Sequence, residues 1–81
     1  MKVIAIDLDN TALAYPNEVK RLFNNKENFI VIYTARPEHL RCMTTDDLAC
    51  KEIPYHALVM DKIRADVYID DKNAGGLNWE V

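Results

Sequence analysis

The sequence predicts an α/β domain built on a mostly parallel sheet. Of four short apolar, β-branched runs the first three are separated by segments with helical spacing, and the order strand, helix, strand, helix, strand, strand suits right-handed crossovers between parallel strands. The acidic and hydroxyl residues, moreover, gather where these runs end. With 81 residues the chain makes one domain, 1–81, and buries roughly 60–65% of its unfolded surface, so its core is thin.

Lys2 to Leu8 reads as the first strand, because "VIAI" is the continuous apolar run of a strand covered on both faces. Pro16 suits a helix N-terminus, and Val19, Leu22 and Phe23 follow at i, i+3, i+4 until "NNKEN" ends a helix of about ten residues. Phe29 to Thr34, "FIVIYT", is the second strand. From Pro37 a second helix places Leu40, Met43, Asp47 and Leu48 near one stripe, ends near Cys50-Lys51 and is followed by Pro54. Tyr55 to Met60 is the third strand and Asp66 to Asp70 the fourth, while "KNAGGLNWEV" carries too little pattern for a helix.

Composition narrows the function classes. With 49% hydrophobic and 28% charged residues and only 2 Gly and 3 Pro, the chain is neither a disordered tail nor a fibrous repeat. A net charge of −3 and a pI near 5.2 leave no broad basic surface, so nucleic acid is not indicated as a partner, although a local cluster could bind one. No apolar run reaches the roughly 18 residues of a membrane span, and Asp7 and Asp9 interrupt any signal-peptide core, so the expected location is cytoplasmic, away from membranes. Cys42 and Cys50, eight residues apart in one helix, stand about 12 Å apart along its axis and cannot pair there; buried or semi-exposed thiols in a reducing cytoplasm are expected.

Asp7, Asp9, Thr34 and the pair Asp70-Asp71 all fall at C-terminal strand ends, the edge at which open α/β sheets bind ligands. Carboxylates converging there repel one another, and a hard divalent cation relieves that repulsion. Asp7, Asp70 and Asp71, with a carbonyl near Asp9, make an all-oxygen set suited to Mg²⁺, whereas His39, His56 and the cysteines lack zinc-like spacing. Phosphate is the natural substrate group beside such an ion: Thr34 can donate a hydroxyl hydrogen bond and Lys62 a compact charge. Asp7 would attack phosphorus, and Asp9 would serve as general acid and then base.

"DLDNT" (Asp7 to Thr11), "IYTAR" with Thr34, Lys62, and "YIDDKN" with Asp70-Asp71 resemble the four ordered motifs of the haloacid dehalogenase-like phosphohydrolase superfamily, across Val3 to about Asn73. The resemblance implies a three-layer Rossmann-like fold and an aspartyl-phosphate on Asp7, which also ligates Mg²⁺. It implies that Asp9 is general acid/base and carbonyl ligand, that Thr34 binds phosphate, and that Lys62, with Lys51 and Lys72 as nearby alternatives, holds nucleophile and phosphate together. Asp70 would ligate Mg²⁺ with support from Asp71, Thr11 would steady the first loop, and backbone N–H groups of Leu8, Asp9 and Ala35 would cradle phosphate. Arg36 in "TARP" either reaches a substrate or stands exposed before the helix.

The intervals between motifs leave no room for a folded cap, which implies a cap-less type whose site is open to solvent, to a large substrate or to a second copy of the chain. The chain ends soon after the fourth motif, so the fifth strand and final helix of larger relatives are expected to be absent or vestigial. The expected substrate is a small phosphorylated molecule or the phosphate end of a larger one. Two other functions compete: a receiver-like phosphoacceptor, and a binding or assembly protein without turnover. Receivers place the acidic pair after strand 1 and a lone Asp after strand 3, whereas here the later pair follows strand 4; the complete motif set weighs against the binding protein.

Overall fold

The computed structural model describes residues 1–60 and 67–69. Strand β1 (Lys2–Asp7) leads through a short turn to helix α1 (Pro16–Asn24), then to β2 (Asn28–Tyr33), helix α2 (Arg41–Cys50), β3 (Ala57–Val59) and β4 (Val67–Ile69). The strands lie in the order β3-β2-β1-β4 and every pairing between them is parallel. The chain is therefore an α/β protein of Rossmann-like architecture. Its element order follows the expected one; β1 stops one residue before Leu8, β2 is shifted by one residue and β3 is confined to Ala57–Val59 of the run Tyr55 to Met60.

Burial explains why these runs became strands. Ile4, Ala5 and Ile6 have no exposed surface, as a strand with neighbours at both edges and cover on both faces requires. On one face Ile4, Ile6, Ile30, Ile32 and Ile69 pack with Val19 and Leu22 of α1 and Leu48 of α2. The alternate positions Ala5, Val31 and Tyr33 are buried as well, so neither face of the sheet is open to solvent at these positions. No described helix is long and apolar enough to cross a membrane.

Helix α1 begins with Pro16 in its first turn and ends where Asn25 turns to extended backbone. Asn28, buried at the start of β2, donates from Nδ2 to the Leu22 carbonyl at 3.0 Å, tying the end of the helix to the sheet. Strand β3 begins later than Tyr55 because His56 uses its side chain as well as its backbone. Its N–H donates to the Ile30 carbonyl at 2.9 Å, while its Nδ1 accepts the Ile30 N–H at 2.9 Å in place of a ladder carbonyl. The imidazole also stacks on Phe23 and Phe29, with centroids 4.6 and 5.0 Å away.

The expected stripe on α2 is corrected. Thr44 and Leu48 are the buried residues, with Leu40 half-buried above them; Met43 is 53% exposed, and Asp47 turns toward Arg36. A tight turn at Glu38–Leu40 precedes the helix, so the inward row runs along i, i+4, i+8 from Leu40. A threonine can occupy that row because its hydroxyl donates to the Leu40 carbonyl at 2.9 Å.

The end of α2 contains a strained residue. Ile53 N–H reaches the Leu48 carbonyl and Glu52 N–H the Ala49 carbonyl, both at 3.0 Å, a Schellman closure in which Glu52 adopts φ 54°. Left-handed backbone costs a residue with a Cβ roughly 1–2 kcal/mol, partly offset by the greater chain entropy of glycine in the unfolded state. Glu52→Gly should therefore stabilise the fold by about 0.5–1 kcal/mol. The check is a higher urea midpoint at unchanged slope; a lower midpoint would contradict the strain argument.

Candidate active site

Strand register sets out the site. Asp7 is paired with Tyr33, Tyr33 with Val59, and Ile6 with Ile69, so β1, β2, β3 and β4 end level at one edge. Strand β1 lies at the point where the chain's lateral progression reverses: β2 and β3 follow on one side and β4 on the other. Crevices form at such switch points, outside the carboxyl ends of the strands. Asp7 ends β1 there, and Thr34 follows Tyr33 at the same level.

After Asp7 the chain turns sharply. Asp9 is extended, at φ −75° and ψ 135°, and Asn10 is left-handed, at φ 61° and ψ 8°. Asparagine enters that region more readily than most residues, so Asn10 is what lets the backbone double back after Asp9. A wide i→i+5 bond from Leu13 N–H to the Leu8 carbonyl, 3.1 Å, then closes the turn, with Leu8, Thr11 and Ala12 buried beneath it. Nothing in the motif as read from sequence singled out Asn10, although its tolerance of positive φ was the available signal.

The described residues of the expected site stand as follows. Asp7 accepts the Leu8 N–H on its own Oδ1 at 3.0 Å, so the Leu8 amide expected to face phosphate is turned to the carboxylate beside it. Thr34 is buried, and its Oγ1 accepts the Arg36 N–H at 3.1 Å, a local turn that fixes the hydroxyl oxygen while its hydrogen can still donate. Ala35 is exposed at the same bend. The Thr11 carbonyl accepts the Tyr15 N–H at 3.0 Å, while the side chain expected to steady the first loop has its Oγ1 buried without a hydrogen-bond partner. Lys62, Asp70 and Asp71 lie outside the described residues, as do Lys72 and the tail. Among the described residues no three His, Cys, Asp or Glu side chains converge.

Asp9 and Arg36 meet. Arg36 Nη2 donates to Asp9 Oδ1 at 2.8 Å, and its Nη1 donates to Thr44 Oγ1 at 3.1 Å and to Asp47 Oδ2 at 3.0 Å. The guanidinium is held above its already high ordinary pKa, first by the bond to Asp9 and next by that to Asp47. Sequence reading left Arg36 between substrate contact and simple exposure; in the structure its side chain is 21% exposed and bonded within the protein. Thr44 and Asp47 were missed as its partners because Asp47 fell on an assumed apolar stripe. Their i, i+3 spacing on α2 was the readable sign that both could face one group.

Fold and site together define a Rossmann-like α/β domain with carboxylate and hydroxyl groups at the C-terminal edge of its parallel sheet. The fold is similar to that of a conserved protein from Bacteroides thetaiotaomicron, with a TM-score of 0.70 over 96% of this chain and 83% of that one, at 20% identity. At that identity the likeness concerns the fold alone. No protein-family model and no curated protein matches the chain.

Proposed function

We propose that the protein is a Mg²⁺-dependent phosphomonoester hydrolase acting through Asp7. The observation that supports this most is the pairing of Asp7 with Tyr33, which sets the nucleophile's strand end beside Thr34. An Asp7 oxygen attacks phosphorus as the bond to the leaving oxygen breaks, and that oxygen takes its proton from Asp9. Water then attacks the phosphorus of the aspartyl-phosphate and gives its proton to Asp9; the bond to Asp7 breaks and inorganic phosphate leaves. Thr34, through its hydroxyl hydrogen, and the amide of Ala35 orient the phosphoryl oxygens, with Lys62 as the additional cation.

The donor set fits Mg²⁺. The Asp7 carboxylate is a hard oxygen ligand, and since the Asp9 carboxylate is bonded to Arg36, its backbone carbonyl is the oxygen Asp9 would offer. Asp70 and Asp71 would complete the set. When bound, Mg²⁺ offsets the charge of phosphate against these carboxylates. The exposed free thiols of Cys42 and Cys50 fit a reducing cytoplasm.

Hydrolysis of a panel of phosphate esters, p-nitrophenyl phosphate included, should require added Mg²⁺, cease with a chelator and release inorganic phosphate. Hydrolysis that persists in the chelator would overturn the proposal. Mg²⁺ binding without hydrolysis of any ester would favour the binding-protein reading instead.

A further inference from the structure

We propose that Arg36 is a positioning residue: it fixes the Asp9 carboxylate, and Thr44 and Asp47 of α2 fix Arg36. The catalytic part of this rests on the hydrolase reading; the coupling of α2 to the first loop does not.

Asp9 sits on a loop with a 54% exposed side chain, where a carboxylate would otherwise sample several rotamers. Arg36 limits that freedom with one short bond at 2.8 Å. Its own placement is determined from the other side. The single hydroxyl hydrogen of Thr44 is committed to the Leu40 carbonyl at 2.9 Å, so toward Arg36 the buried oxygen can only accept. Asp47 accepts from the same Nη1, and the Arg36 amide is bonded to Thr34. One residue thus ties the Asp9 carboxylate, which acts as the base of the second step, the phosphate-binding hydroxyl and α2 into a single unit. A lysine could not do this, because only a planar guanidinium presents a fork of donors to separate acceptors.

With partners 42% and 54% exposed, these ion pairs contribute little stability. In the second step, however, Asp9 must take a proton from water for every substrate, and a general base displaced even slightly loses rate steeply. The signature is therefore a loss of kcat without matching loss of substrate affinity or fold.

Arg36→Ala should lower kcat for p-nitrophenyl phosphate about 10- to 100-fold, with KM within about twofold of wild type. Asp47→Ala should lower kcat by about three- to tenfold. Added guanidinium ion should restore part of the activity of Arg36→Ala, and Arg36→Lys should stay impaired. In ¹⁵N spectra Asp47→Ala should shift the amide resonances of Asp9 and Asn10, because Arg36 bonds both carboxylates. A raised KM at unchanged kcat would make Arg36 a substrate ligand and overturn the proposal. So would Asp9 and Asn10 resonances unmoved by Asp47→Ala. If the wild type cleaves no ester, the hydrolase reading fails by itself, and the coupling stands or falls on the spectra.

Discussion

Asp7→Asn is expected to abolish phosphate release, and Asp9→Asn to reduce it by about 10²- to 10⁴-fold, with the fold intact in both. An amide oxygen at position 7 can still accept the Leu8 N–H that the carboxylate holds at 3.0 Å, so the turn after β1 should survive. Under the proposed mechanism what disappears is the nucleophile that forms the bond to phosphorus. At position 9 an amide oxygen can still face Arg36, but the proposed mechanism loses its proton donor and acceptor. The first step then depends on the leaving group: p-nitrophenolate departs without a proton, an alkoxide does not, so alkyl phosphates should suffer far more than p-nitrophenyl phosphate. The second step needs a base for every substrate, so the Asp9→Asn protein should accumulate a phosphoryl group on Asp7, visible by peptide mass after rapid acid quench. Matched thermal midpoints would place the loss in chemistry. Activity that survives Asp7→Asn would sink the mechanism.

Much of the fold was legible because the strands are buried on both faces and leave continuous apolar runs, "VIAI" and "FIVIYT", that no amphipathic helix would show. Pro16 marked the start of α1 to the residue. The misreadings arose where a polar side chain replaced a regular backbone or apolar partner. His56 stands in for a ladder carbonyl and delays β3; Thr44 takes a core position because its hydroxyl is satisfied within the helix. Of the candidate site, the placement of Asp7 and Thr34 at the sheet's C-terminal edge, with Asp9 in the turn just after β1, was readable from the ends of the apolar runs. The bonds among Arg36, Asp9 and Asp47 were not, since they join residues 27 and 11 apart in sequence through a tertiary approach of α2 to the first loop. The glutamate at φ 54° was equally hidden, because the sequence offers neither glycine nor asparagine there to mark the closure.

Ile32→Ala is expected to destabilise the protein by about 3–4 kcal/mol, the largest single loss of stability foreseen for a substitution outside the site. Ile32 is fully buried in the middle of the sheet, paired with Ile6 on one side and Leu58 on the other, and it belongs to the cluster formed with α1 and α2. Shortening it removes three carbons from the place least able to collapse. Its neighbours Ile4, Ile6 and Ile30 are strand residues whose positions the ladder fixes, so the cavity stays open and the cost falls in the upper part of the range for such truncations. A domain of this length has roughly 4–12 kcal/mol of stability in total, so the variant would lose a large share of it. Met43→Ala on the exposed side of α2 removes a similar volume where half the side chain already meets water, and should change stability by less than about 0.5 kcal/mol. Urea unfolding followed by circular dichroism separates the two. Ile32 also lies two residues before Thr34 on the strand that carries it to the site, so Ile32→Ala should loosen phosphate binding and raise KM in the fraction that remains folded. Equal midpoints for the Ile32 and Met43 variants would mean that the stability of this fold does not reside in the isoleucine face of its sheet.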